Sequence, residues 1–231
     1  MRRTHALIFG YNEYSKQILA QIGGNYREIT LFVSNPEEMS VAIKEGWSAE
    51  LFDLSDDWSV IEERFDIRLL TTFCALANDA ENVFLTISLR STFESMLIIA
   101  LSQSHESTLK MKSAGADKVM PVLQIAANMI GDMITKPNVT HVIHDLLYED
   151  EGLGVMEVKI DQHSPLIGKY LHDIDFGGDF DLILLAMVDN ERENSFSFAV
   201  QGYNHHIDKD DVLVLMGDKK KLALFKQFER G

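Results

Sequence analysis

The chain is poor in the residues that staple or interrupt a fold: its 231 residues include one cysteine, four prolines and two tryptophans. A single thiol excludes an intrachain disulfide, and the place of Cys74 in an apolar run predicts a buried, inert side chain. Basic residues are also scarce, 21 Lys and Arg against 36 Asp and Glu, for a formal net charge of -15. That balance excludes the broad positive surface on which nucleic-acid binding depends. Long apolar runs are missing too: the longest, 96–101 and 182–188, are far shorter than a bilayer-spanning helix requires. Met1-Arg2-Arg3 leads at once into a strand pattern, so no signal peptide is expected. Any membrane role then comes through a partner, or through a spanning segment outside this chain. Neither an internal repeat nor a low-complexity stretch is visible.

What is present begins with alternation of strand and helix. His5-Ala6-Leu7-Ile8-Phe9 reads as a buried first strand. Further strands are expected at 29–33, 51–52, 69–75, 96–101 and 118–120. Between them lie helices. One opens at Asn35-Pro36-Glu37-Glu38 with a capping Asn, an early Pro and two acids at the positive dipole end, and Gly46 is placed to stop it. Ser55-Asp56-Asp57 is expected to cap a helix running to Phe65, Asn78-Asp79 one running to Arg90, and a helix from Ser107 stops at Gly115. Strand and helix in this rhythm imply a parallel sheet covered on both faces. Tyr11, Tyr14, Ile18, Leu19 and Ile22 recur at helical spacing, and core packing explains them.

After Met120 the rhythm changes. Residues 123–134 form a helix that is apolar on most of its circumference, with Leu123, Ala126, Met129, Ile130, Met133 and Ile134 along it. Such a helix must be covered on more than one side, and a second subunit is a natural cover. Pro137 interrupts it, a shorter helix follows over 139–148, and residues 150–154 read as a linker. The remainder is of another kind: a strand through Met156, Val158 and Ile160, a short helix over 165–171, strands at 182–188, 196–200 and 212–216, and a last amphipathic helix over 219–228. The organisation is therefore 1–136, a sheet lobe ending in the apolar helix; 137–152, helix and linker; and 153–231, a small α+β unit.

The turn after the first strand, Gly10-Tyr11-Asn12-Glu13-Tyr14-Ser15, stands where a dinucleotide-binding fold carries G-x-G-x-x-G. Only the first glycine is kept. Asn12 replaces the one that admits a pyrophosphate, and Ser15 the one that lets helix and strand pack closely. The ribose-binding acid expected after the second strand is also missing, since the chain reads Ser34-Asn35. NAD is disfavoured on both counts. An adenine nucleotide stays open, because a helix N-terminus attracts phosphate, with Gly10, Tyr11, Asn12, Ser34, Asn35 and Asp53 as candidate contacts.

The order of these pieces resembles an RCK domain, the regulator of potassium conductance attached to potassium channels and Trk/Ktr-type transporters. The resemblance rests on the degenerate glycine loop, on Asn78-Asp79-Ala80-Glu81-Asn82, on Ser113-Ala114-Gly115-Ala116-Asp117-Lys118-Val119, on Ser164-Pro165-Leu166-Ile167-Gly168-Lys169, and on Asp210-Asp211-Val212-Leu213-Val214-Leu215-Met216-Gly217. It implies a Rossmann-like α/β N-lobe with a parallel sheet, a crossover helix pair and a small α+β C-terminal subdomain, closest to the calcium-gated archaeal channel type. It also implies a cytoplasmic, non-enzymatic regulator at the inner face of the membrane. Such a domain dimerises through the 123–134 helix, assembles into rings of up to eight, and controls potassium conductance by a ligand-driven shape change. A nucleotide-sensing subunit of a Trk/Ktr uptake system is the alternative, and an NAD-dependent oxidoreductase is disfavoured. Calcium, the second ligand candidate, needs six to eight oxygens. Asp79 matches an acid of the calcium-gated relatives and Glu81 lies beside it, but Leu101 and Gln103 stand at the matching later positions. Histidines are a third candidate: His141 and His144 share a helix face, and His205-His206 lies in a polar loop.

Overall fold

A computed structural model describes residues 4–148, 152–190, 195–198 and 205–230. The chain divides into two compact units, 1–131 and 132–231. The expectations placed on Met1-Arg2-Arg3, Asp150-Glu151 and Val200 lie outside the described residues.

The first unit is a six-stranded parallel sheet built from β1 (His5–Phe9), β2 (Glu28–Val33), β3 (Ser48–Leu51), β4 (Leu70–Cys74), β5 (Leu97–Ser102) and β6 (Lys118–Pro121), in the order β3-β2-β1-β4-β5-β6. Its helices are α1 (Glu13–Ile22), α2 (Pro36–Lys44), α3 (Val60–Arg64), α4 (Asp79–Thr92) and α5 (His105–Ser113). This strand order is that of a doubly wound dinucleotide fold, with its reversal between β1 and β4. Side chains alternate across the sheet, as strand geometry requires. Leu7 and Phe9 enter a cluster with Phe32, Phe52 and Trp58, while Ala6 and Ile8 enter one with Leu19, Leu31 and Phe73. Phe9 stacks on Phe32 with ring centroids 4.8 Å apart, and Trp58 meets its edge at 5.4 Å.

α6 (Val122–Thr135) and α7 (Pro137–Tyr148) follow, and neither carries a buried residue. The second unit holds an antiparallel sheet in the order β7-β10-β8-β9. Its strands are β7 (Leu153–Lys159), β8 (Leu182–Asp189), β9 (Ser195–Phe198) and β10 (Val212–Asp218), and its helices are α8 (Phe176–Phe180) and α9 (Lys219–Glu229). Val158, Leu182, Leu213, Leu222 and Phe225 are among its buried core.

Three local expectations are corrected. Residues 165–171 form turns rather than a helix: Gly168 takes φ +80°, and its N–H donates to the Ile207 carbonyl at 3.0 Å. Helix α3 begins only at Val60, because Asp56 and Asp57 accept the backbone N–H groups of Asp53 and Ser59 in turns before it. The third strand ends at Leu51, leaving Phe52 just past it as a core side chain.

Candidate functional site

The carboxyl ends of β1, β2 and β3 gather Gly10, Tyr11, Asn12, Ser34, Asn35 and Asp53 at one edge of the sheet, beside the β1/β4 reversal where open α/β sheets bind ligands. Gly10 takes φ +100°, and a Cβ there would lie 2.7 Å from the Ala75 carbonyl oxygen. Only glycine fits this turn.

The two lost glycines are replaced by side chains that close the loop on itself. Asn12 caps α1, its Oδ1 accepting from the N–H groups of Tyr14 at 2.9 Å and Ser15 at 3.2 Å. Its Nδ2 donates to the Ala75 carbonyl at 2.7 Å. Ser15 is fully buried, and its hydroxyl donates to the Gly10 carbonyl at 2.8 Å. The amides that would cradle a phosphate at this helix end are thus occupied by Asn12.

Tyr11, Asn35 and Asp53 are also engaged within the chain. The Tyr11 hydroxyl donates to Glu45 at 2.5 Å, and Lys16 reaches the same carboxylate at 3.4 Å. Burial, then the hydrogen bond to Glu45 and its charge, push the Tyr11 phenol up to about 12. The Tyr11 hydrogen bond in turn holds Glu45 below the usual carboxylate range. Ser34 is exposed, and Asn35 caps α2 by accepting from Glu38 N–H at 2.8 Å. Asp53 accepts from the Ser55 hydroxyl at 2.5 Å and the Ser55 N–H at 2.8 Å, the hydroxyl being the main cause of its lowered pKa.

Asp79 and Glu81 both lie in the first turn of α4. The Asp79 carboxylate accepts the Gln103 N–H, at 3.0 and 3.1 Å to its two oxygens, and so fixes the end of β5. Glu81 is exposed. His141 and His144 are 3.4 and 3.7 Å from Asp145 on α7. Cys74 is wholly buried, which pushes its thiol up to about 12. A thiol held protonated in this way is no nucleophile.

Three groups escaped sequence reasoning. Asn82, buried in α4, brackets Leu76 by accepting from its N–H and donating to its carbonyl, both at 2.9 Å. Arg90 donates to the carbonyls of Gly115, Phe93, Glu94 and Met96, and to Asp117 at 2.7 Å. Gly115 takes φ +98°, and a Cβ there would lie 2.6 Å from Arg90 Cγ, which gives the Ser113–Val119 motif a structural reason. Last, Asp189, His205 and Asp211 meet in the second unit, all three buried. His205 thus lies outside the strands and helices, as expected, but is buried rather than solvent-facing.

The family model of the TrkA-N domain matches residues 6–121, half of the chain. The chain belongs to the TrkA-N domain family. Two relatives of this TrkA-N protein are potassium channel proteins of Methanocaldococcus jannaschii. Probable potassium channel protein 2 is 27% identical over 154 residues, 64% of this chain and 43% of the relative. Potassium channel protein 1 is 23% identical over 156 residues, 68% of this chain and 45% of the relative. The chain spans less than half the length of either. Among solved structures, the GsuK RCK domain covers all of this chain and 47% of its own, at 15% identity and a TM-score of 0.50. The NAD(P)-binding domain of an exopolyphosphatase-related protein from Archaeoglobus fulgidus covers 58% of this chain and 99% of its own, at 18% identity and 0.50. These two likenesses bear out the α/β fold, while the family match and the two channel relatives bear out the resemblance drawn from the sequence.

Proposed function

We propose that this TrkA-N protein is a non-enzymatic regulatory domain of a potassium channel, changing shape on binding a small effector and passing that change to a pore. The observation that carries the reading is the family match over the sheet unit joined to an uncovered helix pair. Leu123, Ile130, Met133 and Ile134 on α6 are all more than half exposed in the single chain. An apolar surface of this kind marks a protein contact, and the simplest partner is the same face of a second copy. A ring needs a second, different self-contact. The shallow groove between α4 and α5, lined by Val83, Ile87 and Leu109 with Phe84 exposed beside it, supplies an apolar candidate.

The self-closed glycine loop supports a reading without hydride transfer. A diphosphate at α1, of NAD or of ADP alike, would have to displace Asn12 from two amides; NAD is disfavoured further by the missing ribose-binding acid at Ser34-Asn35, with an adenine nucleotide or calcium kept as effector candidates. The domain acts at the cytoplasmic face through its pore. The test is light scattering after size exclusion, alone and with millimolar calcium, ADP or NAD. A dimer that enlarges with one ligand is the expected result. A monomer under every condition overturns the proposal. A dimer of unchanged shape with measurable NAD turnover replaces it with an oxidoreductase.

A further inference from the structure

The cluster at the end of β8 lies far in sequence from the glycine loop and plays no part in the reading above. Asp189 is 1% exposed, His205 7% and Asp211 0%. Their ligating atoms all fall within 4.8 Å of one another. The imidazole stands between the carboxylates: Nε2 is 2.8 Å from Asp211 Oδ2, and Nδ1 is 3.4 Å from Asp189 Oδ2. These distances differ in kind. The first is a charge-assisted hydrogen bond. The second is longer than the roughly 2.7–2.9 Å such a bond takes, but it suits two neighbouring ligands of one tetrahedral ion with bonds of about 2.0–2.2 Å.

Asp211 is itself held in place. Its carboxylate accepts Asn190 N–H at 3.0 Å and Asp208 N–H at 2.9 Å. The backbone around His205 is fixed as well, its carbonyl accepting Leu171 N–H at 2.8 Å.

The geometry points to a metal site in the second unit: Asp189 and His205 Nδ1 hold a zinc-type divalent cation, and Asp211 takes the Nε2–H and orients the ring. A carboxylate on the far nitrogen fixes the tautomer and raises the basicity of the ligating one. The donor set of one imidazole and one carboxylate suits zinc or a neighbouring transition metal better than calcium or magnesium, which prefer oxygen alone. Water completes the coordination, so the ion exchanges and is stripped by chelators. Its effect is to tie the end of β8 to the segment that leads into β10.

The test uses the full chain, freed of any histidine tag, stripped with EDTA and dialysed, then titrated with zinc sulfate against a chromogenic chelator. One tight equivalent and a zinc-dependent rise in melting temperature are expected. Asp189→Asn and His205→Gln lose both, Asp211→Asn weakens binding about tenfold or more, the range for such an outer partner, and His206→Gln behaves as wild type. Nitrogen-15 histidine spectra of the wild-type chain cover the case of a variant that does not fold. A shift confined to His205 at one equivalent supports the site. No tight equivalent, a shift at His141 or His144 without His205, or a folded His205→Gln that binds as wild type overturns it.

Discussion

The Asn12 side chain bridges the reversal point of the sheet: its amide donates to the Ala75 carbonyl at 2.7 Å while its oxygen caps α1. One residue thus ties the turn after β1 to the end of β4 and fills the place a phosphate would take. Asn12→Ala removes a cap and a cross-strand bond, so unfolding stability should fall by about 1–2 kcal/mol in urea titrations. Asn12→Gly restores the second glycine of the dinucleotide pattern and frees the Tyr14 and Ser15 amides. Calorimetry should show tighter NAD binding by Asn12→Gly than by wild type. Equal affinities would mean that the loop does not set nucleotide preference.

Tyr11 and Glu45 make a pH-dependent contact whose sign follows from the shift. The folded phenol is pushed up to about 12 from an ordinary value of 10.0, so the folded state holds the proton more tightly than the unfolded state. The contribution is complete below pH 10.0 and is lost as pH rises toward about 12. Tyrosinate absorbance should show one late-titrating phenol, absent from Tyr11→Phe. Tyr11→Phe should also flatten the alkaline loss of stability. An unchanged late phase in that variant would place it on another tyrosine.

Arg90 explains why Gly115 is a glycine. The guanidinium donates to four backbone carbonyls and to Asp117, whose carboxylate also accepts Ile98 N–H at 2.7 Å. Lysine cannot reproduce that fork. Arg90→Lys and Gly115→Ala should each lower stability by about 2–4 kcal/mol, the range for breaking a network of bonds to a charged group or forcing a side chain into a positive φ. Urea midpoints measure both. A loss under about 0.5 kcal/mol, the scatter of an ordinary surface substitution, would show the network to be incidental.

Much of this fold was legible because burial imposes a period. The runs at His5–Phe9 and Leu70–Cys74 could only be two-sided strands, and the all-round apolar 123–134 helix announced an uncovered face. The first glycine was legible for the same reason that it is needed, a backbone that passes too close to Ala75 for any Cβ. What was illegible depends on partners distant in sequence. Nothing near Asn12 shows that Ala75 lies opposite, and nothing near His205 shows that Asp189 arrives from the end of β8. The 165–171 segment carried helical composition, but its backbone groups pair with the segment at 205–207 instead.

The uncovered face of α6 gives the most direct test of assembly. Ile130 is 60% exposed in the single chain and lies on the same side as Leu123 and Met133. Burying an isoleucine contributes about 1.5–3 kcal/mol, and an aspartate in its place adds the desolvation of an unpaired charge on each side of a two-fold contact. Ile130→Asp should therefore weaken self-association by about 100-fold or more, since each 1.4 kcal/mol is a factor of ten. Sedimentation velocity over a concentration series reads this as a shift from dimer to monomer. The sheet unit should keep its far-ultraviolet circular dichroism, because α6 contributes no buried residue to its core. A variant that stays dimeric would move the contact to another surface, with the α4–α5 groove the next to mutate through Ile87→Asp.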